Sequence, residues 1–338
     1  MLKREKIMEK PIKGIARRDF VKGTALSCLA FSLPNMACST FKGSAPVKIG
    51  LITDLHQDIM HDGVQRMQAF VEQVKVQQPH AIMQLGDFAY PGEKNKEVIQ
   101  LFNNAHEQAL HVIGNHDTDA GYTTDQCLSY WGMPARYYTK EVEGIHFIVL
   151  DGNEKGSPTH QGGYASYIGK EQQSWLVDQL KTIEGPIIIV SHQPLLGPLA
   201  VDNAEEIQSI LSAAKGKILF AINGHTHIDM LLEKDGIPYL HLNSASYLWV
   251  GGDYQHQSYS EKIHEDHPWI SYTCPYKDSL FAFMTIDPET RTVTLTGKKS
   301  EWQGESPAEL GVDNYPTLTI GDEIVPSISN RKILKPKG

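Results

Sequence analysis

Basic residues are in short supply in this chain: 31 Lys and Arg face 40 Asp and Glu, a formal charge of −9. The deficit deepens once the amino terminus is set apart. The first 38 residues hold eight Lys or Arg against three Asp or Glu, so removing their +5 leaves −14 on the rest. A protein that grips nucleic acid by charge needs the opposite balance, so no nucleic acid is expected as a partner. Cysteine is scarce too, at four in 338 residues, which excludes a disulfide-built scaffold. Cys28 and Cys38 fall near the amino terminus; Cys127 and Cys274 remain, either bridged or as two free thiols. No run of eighteen apolar residues occurs, so no membrane-spanning helix is expected. No internal repeat is evident, which excludes solenoids and propellers. What is left is an ordinary globular composition, 41% hydrophobic and 21% charged, long enough for one large domain or two small ones.

The amino terminus reads as an address rather than as part of the fold. A basic stretch leads to Arg17-Arg18-Asp19-Phe20-Val21-Lys22, followed by a modestly apolar run from Thr24 to Leu33. This resembles a twin-arginine export signal, whose route carries folded proteins. The resemblance implies a periplasmic protein, or one anchored on the outside of the cytoplasmic membrane. Cys38 follows Asn35-Met36-Ala37, a loose match to the box before a lipid-modified cysteine, without its usual Leu. A lipid on Cys38 would attach the protein to the membrane, and that reading stays open beside an unmodified linker. The expected division is residues 1–45 as signal and linker, 46–300 as the main domain and 301–338 as a carboxyl-terminal extension.

From Val47 onward, short apolar strands alternate with segments whose apolar residues recur at helical spacing. Strands are expected at 47–53, 81–85, 111–113, 145–150, 187–190 and 218–222. Helices are expected through Met67, Val71 and Val74, through Val98, Leu101 and Phe102, and through Trp175, Leu176 and Leu180. Five of the strands run into motifs that carry chemistry: Asp54-Leu55-His56, Gly86-Asp87, Gly114-Asn115-His116-Asp117, Ser191-His192 and Gly224-His225-Thr226-His227. Open α/β sheets collect their sites beyond the carboxyl ends of strands, so the motifs are expected to converge along one sheet edge. Segments 230–233, 238–242, 280–286 and 293–296 are expected as antiparallel strands of a second sheet, with a turn at Asp235-Gly236. Stretches 118–133 and 251–277 read as irregular, and the tail beyond Trp302 shows no periodicity.

Asp, His and Asn gathered in this way suit a pair of divalent ions. Such a pair lowers the pKa of water and neutralises charge on phosphoryl oxygens. It needs one carboxylate able to bridge, and Asp87, ending a central strand after a glycine, is the natural one. Mixed nitrogen and oxygen donors fit Mn, Fe, Zn or Co better than Ca or Mg, without choosing among the four. A histidine beside the pair, His116, could hand a proton to a departing alkoxide.

The series Asp54-x-His56, Gly86-Asp87, Gly114-Asn115-His116-Asp117, His192 and Gly224-His225-x-His227 resembles the calcineurin-like metallophosphoesterase family, over about residues 47–230. The resemblance implies an α/β fold of two packed mixed β-sheets flanked by helices, a four-layer αββα sandwich with metals at the sheet edge. It implies Asp54, His56 and His227 on one ion, Asn115, His192 and His225 on the other, and Asp87 between them. His116 would serve as general acid or phosphate stabiliser, with Asp117 orienting its ring. The implied reaction is hydrolysis of a small phosphomonoester or phosphodiester by a hydroxide held between the metals. A nuclease or nucleotide pyrophosphatase of the same family is the alternative. A non-catalytic metal-binding scaffold is the other, and it should have lost ligands, whereas this chain has lost none.

Other features read more quietly. Gly86-Asp87-Phe88-Ala89-Tyr90 fits the Gly-Asp-x-x-Tyr string of purple acid phosphatases, whose tyrosine binds ferric iron. Those enzymes have Gly where this chain has His56, so Tyr90 is expected to pack rather than ligate. His61, His80, His106, His111, His146 and His160 lack ligand spacing and are expected in solvated or core roles. The aromatic-rich stretch from Trp249 to Tyr276 is expected to wall the substrate pocket.

Overall fold

The computed structural model describes residues 45–334, so the export motif and Cys38 lie outside the described residues. The chain opens with β1 (Val47–Ile52), α1 (Gly63–Gln77), β2 (Ala81–Gln84), α2 (Lys96–Asn103) and β3 (Ala109–His111). Then come α3 (Thr124–Trp131), β4 (Tyr138–Val142), β5 (Ile145–Val149), α4 (Lys170–Thr182), β6 (Ile187–Val190), α5 (Ala204–Ala213) and β7 (Ile218–Asn223). A hairpin of β8 (Met230–Lys234) and β9 (Ile237–His241) precedes a small ribbon of β10 (Tyr247–Trp249) and β11 (Thr273–Pro275), with α6 (Glu261–Asp266) between the ribbon strands. The chain closes with β12 (Ala282–Asp287), β13 (Thr292–Thr296) and β14 (Arg331–Leu334).

Two six-stranded sheets result, ordered β14-β13-β12-β1-β2-β3 and β4-β5-β6-β7-β9-β8. Both are mixed: β1-β2-β3 and β5-β6-β7-β9 run parallel, while β12, β4 and β8 attach antiparallel. The parallel strands read as unbroken apolar runs because both of their faces are covered. In β6, Ile188 and Val190 join the core shared with the first sheet, while Ile187 and Ile189 join a separate cluster with Leu176, Leu180, Ile207 and Leu211 of α4 and α5. On the far side, Met67, Phe70, Val98 and Phe102 of α1 and α2 cover the first sheet. Each such buried side chain contributes about 1.5–3 kcal/mol. Helix, sheet, sheet, helix is therefore the layer order, as the family resemblance implies.

Three expectations need correction. The later strands do not make an antiparallel sheet of their own. β9 is buried along its whole length and fits between β7 and β8, while β12 pairs β1 from Val47↔Ile286 to Leu51↔Ala282. Stretches 118–133 and 251–277 are not all irregular: Thr123 and Gln126 form a reciprocal capping box that starts α3, and the second stretch holds α6 and β11, which pairs β10. The strand expected at 111–113 ends at His111, since Asn153 Nδ2 takes the Ile113 carbonyl at 3.0 Å and draws the chain into a loop.

The tail is held by point anchors instead of a periodic pattern. Trp302 packs on Tyr276 at 5.2 Å and β14 pairs β13. Asp229 receives three contacts from this segment: its N–H donates to the Glu323 carbonyl at 3.0 Å, and its carboxylate accepts from Ser329 N and pairs with Arg331 Nη2, each at 3.0 Å. Cys127 and Cys274 are both buried and free, which settles the choice left open between a bridge and two thiols. No helix among the described residues is long and apolar enough to cross a membrane.

Candidate metal centre

The motifs converge, but from both sheets and not along one edge. Asp54 and His56 follow β1, Asp87 follows β2 and Asn115 follows β3; His192 follows β6, and His225 and His227 follow β7. The two sets meet where the carboxyl ends of the parallel strands face each other. Backbone bonds lace the loops together: Asp54 N to Gly86 O at 3.0 Å, His56 N to Asp87 O at 2.9 Å and Ser191 N to Ile222 O at 3.1 Å. Across the sheets, His192 Nδ1 donates to the Leu85 carbonyl at 2.8 Å, and His225 N donates to Asp54 at 3.1 Å.

The backbone is bent hard to do this. Asp54, His56, Asp87, His225 and His227 all have left-handed φ, between 47° and 67°. Such conformations cost non-glycine residues about 1 kcal/mol or more each and persist where the surroundings enforce them. Two motif glycines make room. A Cβ on Gly114 would lie 2.2 Å from Asp87 Oδ1, and one on Gly224 would lie 2.5 Å from Asp54 Oδ2.

Donor atoms of Asp54, His56 and His227 lie within 4.8 Å of one another, and so do those of Asp87, His192 and His225. Asn115 Oδ1 joins the second group, 3.2 Å from His192 Nε2. Asp87 Oδ2 spans both, at 3.1 Å from His192 Nε2 and 3.6 Å from His56 Nε2. The seven side chains expected to hold ions are therefore together, in the expected partition.

Their chemistry fits cations. His192 commits its Nδ1 proton to Leu85, so Nε2 is the nitrogen that faces the oxygens of Asp87 and Asn115. His227 does the same: Nδ1 donates to the Tyr247 carbonyl at 2.8 Å, leaving Nε2 3.1 Å from Asp54 Oδ1 and 3.2 Å from His56 Nε2. Acceptors aimed at acceptors repel unless positive charge sits among them. The same field acts on the protonation of these groups. Burial pulls His192 down, yet Asp87 and Asp54 raise its pKa to about 9, so the field favours positive charge at Nε2, and a cation bound there would displace the proton. Burial holds His56 and His225 at about 3, neutral and free to donate a lone pair. Burial alone would raise Asp87, but His192, His116 and His56 keep its carboxyl well below the usual range.

His116 stands beside the donors, its ring 5.3 Å from that of His56 and its N–H on Asp87 Oδ1 at 2.8 Å. Asp117 does not orient it, contrary to expectation. The Asp117 carboxylate accepts the backbone N–H groups of Asp87, Phe88 and Gly114 at 2.9, 2.8 and 2.7 Å, fixing two motif loops to each other. Asp119, missed from sequence, holds His116 Nδ1 at 2.8 Å, and the Tyr164 hydroxyl donates to the same Asp119 oxygen at 2.8 Å. The available signal was the i, i+3 spacing within one tight turn. Burial lowers His116, but the Asp87 charge and the Asp119 bond outweigh it and raise its pKa. Asp117→Ala is expected to destabilise the fold by about 3 kcal/mol, since each orphaned buried N–H costs roughly 1–3 kcal/mol. A denaturant midpoint unchanged from wild type would contradict that assignment.

Tyr247 was also missed. It lies buried under the site, its ring 5.0 Å from His56 and 4.9 Å from His227. Tyr90 packs instead of completing either group: its N–H meets Asp58 at 2.7 Å and its ring lies 5.6 Å from Tyr122. His111 is a core histidine, bonded to Asn103 at 2.7 Å and stacked on Trp131.

Solved structures share this fold. A dimetal phosphatase from Danio rerio shares 16% identity over 78% of this chain and 100% of its own, with a TM-score of 0.53. GAP50, an anchor in the inner membrane complex of Plasmodium, shares 16% identity over 86% of this chain and 90% of its own, with a TM-score of 0.53. The purple acid phosphatase PPD1 of yellow lupin, Lupinus luteus, shares 10% identity over 76% of this chain and 52% of its own, with a TM-score of 0.51. At these identities the likeness is one of fold. No curated protein matches the chain in sequence. The calcineurin-like phosphoesterase family model matches residues 47–229, which takes in every donor from Asp54 to His227. More than half of the sequence thus fits that model, donors and sheet ends included, and the chain belongs to the calcineurin-like phosphoesterase family.

Proposed function

We propose that this protein is an exported hydrolase of small-molecule phosphoric esters, mono- or di-, that works with two divalent ions. Asp87 carries the reading, because one carboxylate oxygen reaches both donor groups. Asp54, His56 and His227 would hold one ion and Asn115, His192 and His225 the other; bound there, the pair would activate water and neutralise phosphoryl charge. The residues themselves do the rest. Asp119 holds the His116 Nδ1 proton, which leaves Nε2 to protonate the departing oxygen. Asp117 keeps the His116 turn fixed against the Asp87 loop. The charge of −14 beyond the first 38 residues supports a small-molecule substrate over nucleic acid. Export is supported by Arg17-Arg18 and the pattern after it.

Metal removal tests the core of this reading. Dialysis against a chelator is expected to abolish hydrolysis of nitrophenyl phosphate and bis(nitrophenyl) phosphate, and Mn, Fe, Zn or Co should restore it as two ions return per chain. Undiminished hydrolysis by ion-free protein would refute it. The choice between monoester and diester is read from the relative rates on the two substrates.

A further inference from the structure

The groove over the donors encloses about 820 Å³, far more than a phosphoryl group fills and within the range of drug-sized ligand sites. A row of rings leads out of it from the metal donors. Tyr247 touches His56 and His227; Trp249 lies 6.5 Å beyond Tyr247; Tyr272 stacks on Trp249 at 5.6 Å and 11°; Trp269 lies 5.2 Å from Tyr272. Trp249 and Trp269 are 38% and 55% exposed, and Tyr164 and Leu199, also in the lining, are 48% and 61% exposed. Large apolar groups left in water side by side mark a surface that meets a ligand. The wall is built firmly: the Tyr315 hydroxyl donates to the Trp249 carbonyl, and Asn314 Nδ2 donates to the Val250 carbonyl at 2.9 Å.

The charge of the lining is as telling as its shape. No Lys or Arg is among the lining residues, whereas Asp58 and Asp119 are. Lys94 is taken up by Asp58 at 2.6 Å. A second phosphate or a carboxylate on the substrate would need a guanidinium or ammonium partner, and the lining offers none.

We infer that the site takes phosphoesters whose organic part is a flat, uncharged ring system stacked against Trp249 and Trp269, and that it turns away esters bearing further negative charge there. This rests on the hydrolase reading above and names its substrate class.

The test uses the metal-loaded full chain and three esters whose leaving groups are all primary alkoxides: ethyl phosphate, 2-(1-naphthyl)ethyl phosphate and the same naphthyl ester carrying a ring carboxylate. Each is assayed as the monoester and as its methyl diester. The naphthyl ester should exceed ethyl phosphate about tenfold or more in kcat/KM, mainly through KM, and the carboxylate should reverse most of that gain. Trp269→Ala should collapse the ratio between naphthyl and ethyl esters. Equal kcat/KM on both would overturn the inference while leaving the hydrolase reading intact. So would a stronger preference for 2-(trimethylammonio)ethyl phosphate, which would mark capture of a cation. Binding is read apart from turnover, as quenching of tryptophan fluorescence by the naphthyl phosphonate in which CH2 replaces the ester oxygen. Quenching that is lost in Trp269→Ala, in a protein that hydrolyses no ester, would uphold the ring assignment and overturn the hydrolase reading instead.

Discussion

Replacing Asp87 with Asn is expected to remove bound metal and turnover together, in a protein that still folds. Asn keeps the volume and can still accept the His116 N–H, so the loops should hold their shape. What disappears is the negative charge that faces both donor groups at 3.1 and 3.6 Å. A unit-charge pair at such range is worth about 4 kcal/mol at an effective dielectric of about 20, near 10³-fold in affinity, and more for a dication. Elemental analysis should find the variant largely free of metal, with turnover at least about 10³-fold lower. A thermal melt close to that of the wild type would show that the fold survives. Full metal content with turnover inside a factor of ten would mean that Asp87 does not bridge.

His116→Ala should behave differently: it keeps its ions and loses roughly 10²–10⁴ in kcat. No donor group includes His116, but its ring lies 5.3 Å from that of His56. The loss should depend on the leaving group. Alkyl esters need a proton at the departing oxygen and should lose most; nitrophenyl esters, whose anion leaves unaided, should lose least. Asp119→Asn retains a bond to Nδ1 without the charge and should show the same leaving-group pattern at roughly tenfold. A uniform loss on both classes of ester, or loss of metal, would remove His116 from the role of acid.

Most of the site is legible in the amino-acid sequence. Each donor sits within a few residues of a strand end, so motif and strand announce each other, and an apolar run ending in Asp or His is visible in a single chain. Sheet membership is not legible there: β12 is placed by β1 at the other end of the chain, and β9 by a parallel pairing with β7 that leaves its hairpin partner β8 at the edge, and neither pairing is marked in the strand itself. The confusion of Asp117 with Asp119 has the same origin. Two acids in one turn look interchangeable until the tight turn puts Asp119 over Nδ1 and turns Asp117 back onto three amides. The left-handed donors are hidden for another reason: a glycine would have advertised the bend, whereas Asp and His conceal it. α3 is a miss that sequence could have prevented, since its capping box is spelled out at Thr123 and Gln126.

Asp229 stands two positions after His227, and its carboxylate is gripped by Ser329 and Arg331, about a hundred residues further on. While the ribosome is still making the chain, the last donor loop has been translated but its clasp has not. The contacts of Ser329 and Arg331 with Asp229 therefore form only after residue 331 has emerged, later than the bonds of His225 and His227 to Asp54 and Tyr247.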